Sequence, residues 1–331
     1  MILHPAVIAN VVASLIVSGA LVYAAVYGIQ ILRRWDLQSG DEYQLVLERR
    51  TYLISTILTF ACGLELMSLF LYVFTANNLC PLFVGAMCAA GTLNVNPYGY
   101  PTLVLKIIGF ILAGLWLILN HADNQAYDYP LIKKKYLLLA LLVPFSVLET
   151  SLQGAFFLNL KANVITSCCG SLFSTEQVKG VGSELAALPI VPMMWTFYCG
   201  MGCLMASGIH FYRKGKGGYV YSTMTFVMFG VSIASIISFI SIYIYELPTH
   251  HCPFCIVMEE YGYIGYALYI PLFGAVVTGM GIGVLMPFQD ITSLRVVIPG
   301  LIRKLTLTSL TLYAAFMAIV LYKIATSTLV L

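Results

Sequence analysis

Residues 250–255, His250-His251-Cys252-Pro253-Phe254-Cys255, are the clearest chemical signal in the chain. A Cys-x-x-Cys set where a helix is predicted to begin can lower the pKa of its first thiol, because a helix N-terminus favours the thiolate. The thiolate is the attacking species in disulfide exchange, so this arrangement builds an exchange-active dithiol. The two histidines would help as cations or accept protons near neutral pH. A plain stabilising disulfide, or half of a metal site, uses the same residues. Haem attachment is excluded, since no histidine follows Cys255.

Two further cysteine pairs accompany it. Seven residues, Pro81 to Met87, separate Cys80 from Cys88, a spacing that could close a small disulfide loop. Cys168 and Cys169 are adjacent. A vicinal disulfide is strained and easily reduced, which suits a shuttle that docks a partner. The same two thiols could bridge elsewhere, for instance to Cys80 and Cys88, or bind a soft ion such as Cu(I) or Hg(II). Sequence does not choose among the three pairings of four cysteines.

The Cys80/Cys88 loop, the small residues after it, Gly99-Tyr100-Pro101 and the later Cys252-Pro253-Phe254-Cys255 together resemble the vitamin K epoxide reductase family over about 50 residues. The resemblance implies that loop cysteines exchange with a thioredoxin-like partner and that the helix-start pair passes two electrons to a membrane quinone. The family core has one helix between its two cysteine helices; here three predicted spans intervene.

The elements that must carry these groups follow from composition. Of 331 residues, 60% are hydrophobic and 9% charged, and the mean hydropathy is +0.91. Soluble domains carry about 25% charged residues, so a water-facing fold is excluded, as are disorder, coiled coil and nucleic-acid binding. A membrane-crossing helix needs about 20 apolar residues. Eight stretches qualify, roughly 6–31, 52–76, 101–121, 136–158, 189–211, 222–245, 262–286 and 305–327. The expected fold is therefore an all-α integral membrane protein, one polytopic domain over 1–331.

Lysines and arginines give its orientation. Of the 17, 13 fall in alternate loops, among them Arg33, Arg34, Arg49, Arg50, Lys133, Lys134, Lys135, Arg213 and Lys214. Those loops read as cytoplasmic, which puts both termini and the three cysteine pairs on the outer face of a bacterial inner membrane, the side where disulfides persist. The long segment 159–188 reads as an outer loop joining halves 1–158 and 189–331. Tyr98-Gly99-Tyr100 and Tyr261-Gly262-Tyr263 follow a cysteine pair in each half. A parallel four-plus-four duplication would produce this, and so would chance among 22 tyrosines.

Inside the spans, Glu65, Glu149 and Lys106 are charges at a depth where they must face the bundle. They serve either as a proton path or as an ion pair between helices, with Lys106 in reach of either carboxylate. Cys62, Cys199 and Cys203 read as inert, the last two explained by close packing beside Gly200 and Gly202. Gly279-x-Gly281-x-Gly283 reads as helix packing, having no strand before it.

The leading expectation is a membrane thiol–disulfide oxidoreductase using Cys252, Cys255, Cys80, Cys88, Cys168 and Cys169, with His250, His251, Glu65, Glu149 and Lys106 as proton-transfer or polar support. Its rivals are a permease or binding component for a soft metal ion or thiol compound, with Cys168, Cys169, His250 and His251 as ligands, and a non-catalytic subunit that meets other membrane subunits and whose outer disulfides merely brace it. Membrane lipid is the one partner common to all three.

Overall fold

The structure is a computed structural model that describes residues 3–35, 42–161, 166 and 188–329. Every regular element among them is helical. The long helices are α1 (Pro5–Arg34), α2 (Glu42–Leu79), α4 (Gly99–Asp123), α5 (Ile132–Leu158), α6 (Ile190–Lys214), α7 (Gly218–Ser235), α9 (Ile264–Leu285) and α10 (Val297–Thr326). Two five-residue helices join them, α3 (Ala89–Leu93) and α8 (Ser241–Tyr245). α7 runs through a π-helical turn, Ile236–Ile240, into α8. Counting α7 to α8 as one, eight helical segments are long and apolar enough to cross a membrane. Each coincides with a predicted span. The second and eighth start earlier than expected, at Glu42 and Val297. Large apolar side chains such as Phe60, Tyr52 and Trp195 point outward, as hydrocarbon surroundings permit.

The chain divides into two compact units. The first comprises Met1–Thr75, Asn96–Leu160 and Pro287–Leu301; the second comprises Ala76–Val95, Lys161–Met286 and Ile302–Leu331. The segment bearing Cys80 and Cys88 therefore belongs to the same unit as Cys252 and Cys255.

In the first unit, α5 packs on both α1 and α4 around Val17, Leu21, Leu58, Trp116 and Leu139. Polar side chains tie these helices together where water cannot compete. Asn10 Nδ2 donates to Thr75 Oγ1 at 2.6 Å, and Gln153 Nε2 donates to Ser14 Oγ at 2.8 Å. In the second unit, α7 packs on α6 and α9. Small residues allow the closeness: a Cβ on Gly279 would lie 2.4 Å from Thr225 Cγ2, and one on Gly283 would lie 2.4 Å from Ser222 Oγ. The glycine run is helix packing, as expected. Tyr221 donates to Ser309 Oγ at 2.9 Å, and Tyr313 donates to the Thr225 carbonyl at 2.9 Å, fastening α10 to α7.

Candidate functional site

Cys252 and Cys255 do not open a long helix. Cys255–Val257 and Glu259–Tyr261 are single 3-10 turns, and α9 begins only at Ile264. Between them Gly262 and Tyr263 take φ of 63° and 55°, and two successive left-handed residues cannot continue a right-handed helix. The expected activation by a helix N-terminus is thus replaced by a local contact. The Phe254 N–H points to Cys252 Sγ at 3.4 Å.

The loop is fastened from several sides. The Tyr245 hydroxyl donates to the Cys252 carbonyl, and the Tyr269 hydroxyl donates to the Pro253 carbonyl at 2.7 Å. Gly265 comes so close that a Cβ there would lie 2.5 Å from Val257 Cγ1 and 2.9 Å from the Ile256 carbonyl carbon. These contacts leave Cys252 and Cys255 buried.

Cys88 comes from the other cysteine segment. Cys80 lies in a 3-10 turn, Cys80–Leu82, that prolongs α2, and Cys88 precedes α3. Thr166 braces this segment: its N–H donates to the Val84 carbonyl at 3.0 Å and its hydroxyl donates to the Gly91 carbonyl at 2.9 Å. The outcome is a contact between Cys88 Sγ and Cys252 Sγ of 3.5 Å, with both residues fully buried. Cys255 completes a trio whose sulfurs all lie within 4.8 Å of one another. No disulfide joins any two of the described cysteines. The expected Cys80–Cys88 and Cys252–Cys255 pairs are therefore not bonded as such, and Cys88 lies against Cys252. Cys168 and Cys169 lie outside the described residues.

The histidines take different roles. His251 is buried, and its Nδ1–H donates to the Ile237 carbonyl at 3.0 Å. A carbonyl only accepts, so this bond fixes the proton on Nδ1. His250 packs edge-on against Tyr245, with ring centroids 4.5 Å apart. Its Nε2 is buried with no hydrogen-bond partner among the described residues. Burial holds its pKa below the ordinary imidazole value, against an opposing pull from Cys88.

Glu65, Glu149 and Lys106 belong to the first unit rather than to the cysteine unit. Lys106 Nζ pairs with Glu149 Oε1 at 2.6 Å and donates to Ser68 Oγ at 3.3 Å, so the ion pair is made with Glu149. Cys199 and Cys203, expected to be packed away, are exposed on α6; their neighbour Gly200 is the position that admits Met228.

Sequence reasoning missed a second buried ion pair. Lys135, counted above as a loop charge, is 1% exposed and pairs with Asp123 at 2.8 Å. The signal available was Asp123, an acidic residue at the end of the third span.

Compared with known proteins, the chain matches no family, no curated protein and no solved structure.

Proposed function

We propose that the chain is a membrane thiol–disulfide oxidoreductase whose reactive centre is Cys88, Cys252 and Cys255. The observation that carries this reading is the 3.5 Å approach of Cys88 Sγ to Cys252 Sγ across 164 residues of sequence. A disulfide needs about 2.05 Å between sulfurs, so the two must approach by about 1.5 Å more to bond.

With Cys252 and Cys255 oxidised, the Cys88 thiolate attacks Cys252 Sγ, forms the Cys88–Cys252 bond and releases Cys255 as a thiolate. His250 takes the Cys88 proton. Cys80 then attacks Cys88 Sγ, leaving a Cys80–Cys88 disulfide and a Cys252/Cys255 dithiol. A quinone, were it bound beside that dithiol, would supply the oxidant, taking two electrons and two protons and restoring the Cys252–Cys255 disulfide. A thioredoxin-like protein, acting on the loop pair, is the partner of opposite sense. The lysine and arginine asymmetry supports placing this centre on the outer face of a bacterial inner membrane.

A second reading has its own observation. Three thiolates about 2.3 Å from a metal ion in one plane stand about 4.0 Å apart, and the trio lies within 4.8 Å, with one separation of 3.5 Å. A soft, thiophilic ion fits that set, and its ligands would be Cys88, Cys252 and Cys255.

Thiol trapping distinguishes the two. Under mild oxidation, Cys255→Ser should accumulate a Cys88–Cys252 disulfide, seen by peptide mapping without reductant, and Cys88→Ser should abolish it. Stoichiometric metal in the purified protein, with all three thiols protected from alkylation until a chelator is added, would replace the redox reading with the metal one.

A further inference from the structure

We propose that Glu65 and Glu149 form a carboxyl pair that binds one proton between them, a proton-binding site within the α2–α4–α5 bundle. Both residues are buried, at 2% and 1% exposure, and Lys106 beside them is at 0%. Glu149 Oε1 is occupied by Lys106 Nζ at 2.6 Å. Glu149 Oε2 and Glu65 Oε1 are buried with no hydrogen-bond partner among the described residues, and both lie within 3.2 Å of the single point where a Cβ on Gly109 would stand.

Gly109 makes the room for this meeting. A Cβ there would lie 2.5 Å from Glu65 Oε1 and 3.2 Å from Glu149 Oε2, so both carboxyl groups occupy the space that a side chain on α4 would fill. Ionised carboxylates only accept hydrogen bonds. Two of them face to face would leave acceptor against acceptor, and two negative charges against one ammonium. One proton resolves both conflicts: Glu65 becomes a donor to Glu149, and Glu149 with Lys106 is left as a neutral ion pair.

Among the described residues, the neighbouring polar side chains other than Lys106 are engaged elsewhere. From α2, Cys62 is buried one turn away and Ser68 gives its hydroxyl to the Glu65 carbonyl at 2.9 Å. The Tyr72 ring lies 5.5 Å from Lys106 Nζ, and its hydroxyl is spent on the Gly99 carbonyl at 3.0 Å. From α1, the uncharged Asn10 and Ser14 engage Gln153. Loss of the proton would change the net charge of the cluster from zero to minus one inside the bundle.

Infrared spectroscopy of the full-length protein tests this without relying on any variant. With isotope-labelled glutamate, the wild type at neutral pH should show one glutamic-acid C=O stretch that shifts with the label and with deuteration. Glu65→Gln, which mimics the protonated form, should lose that band and unfold at an unchanged temperature. Lys106→Met, which removes the cation, should show two protonated glutamates. A wild-type spectrum in which every glutamate is ionised at neutral pH would overturn the proposal, as would a labelled band that survives in folded Glu65→Gln. Neither result bears on the thiol centre.

Discussion

The His251 imidazole donates its Nδ1 proton to the carbonyl of Ile237, 3.0 Å away, inside the π-helical turn of the sixth span. A π-helical turn shifts the backbone ladder and makes a carbonyl available to an outside donor. Here the donor sits one residue before Cys252, so the helix irregularity anchors the cysteine loop. Removing the donor leaves the carbonyl with only the longer bond from the Ser241 hydroxyl at 3.5 Å, a loss of about 0.5–1.5 kcal/mol. His251→Ala should therefore lower the unfolding temperature and speed alkylation of Cys252, whereas His251→Asn, which retains a donor, should do less of both. Equal alkylation rates in all three proteins would separate the loop from the turn.

Gly265 is the second support of that loop. The backbone of α9 passes under Ile256 and Val257 with no room for a methyl group, and one of the conflicting atoms is backbone carbon. Gly265→Ala should push the Cys255 turn outward, with an overpacking cost of about 1–3 kcal/mol. The measurable consequence is a lower yield of the Cys88–Cys252 crosslink in the Cys255→Ser background. An unchanged yield would mean that the turn holds its place without this contact.

His250 gives the centre a pH dependence of definite sign. Its ordinary value is 6.5, and burial lowers it in the folded chain, with Cys88 pulling the other way and His251 adding to the lowering. Above the ordinary value both folded and unfolded chains hold a neutral ring, and stability is complete. As pH falls below it, the unfolded chain binds the proton first, so stability declines until the folded value is passed. Thermal unfolding measured across this range should show a decline that His250→Gln flattens. A steeper decline in the variant would contradict the assignment.

The scaffold was legible in the sequence because twenty-residue apolar runs admit few alternatives in hydrocarbon, and all of the predicted spans coincide with helices. The gathering of Cys88 with Cys252 and Cys255 was legible only as a shared chemistry of separate loops. Which cysteine meets which depends on contacts far apart in sequence, such as Thr166 against Val84 and Gly91. The 3-10 turns were hidden because Tyr263 adopts a left-handed φ of 55°, which its residue type gives no reason to expect. The starts of α2 and α10 were misplaced for a simpler reason: the charged segments Glu48-Arg49-Arg50 and Arg303-Lys304 stay helical, while an apolar window stops at them.

Lys135 shows how composition misleads at a helix start. It follows Lys133 and Lys134, which are exposed, yet it turns inward toward Asp123, Asn120 and Ser55 at 2.8, 3.1 and 3.2 Å. It forms one wall of a cavity of about 230 Å³ that also meets Trp35 and Tyr129. Asp123 in turn accepts the Leu131 N–H at 2.8 Å, which closes the turn between α4 and α5. Removing one member of a buried pair strands the other charge, at a cost of about 3–5 kcal/mol. Lys135→Met alone should therefore lower stability by that order. Adding Asp123→Asn, which removes the stranded charge and keeps an acceptor for Leu131, should recover most of it. Denaturant unfolding in detergent measures both variants. A single substitution costing less than about 1 kcal/mol, the ordinary value of an exposed pair, would mean that water reaches Lys135 through the cavity and that the pair contributes little to holding α4 against α5.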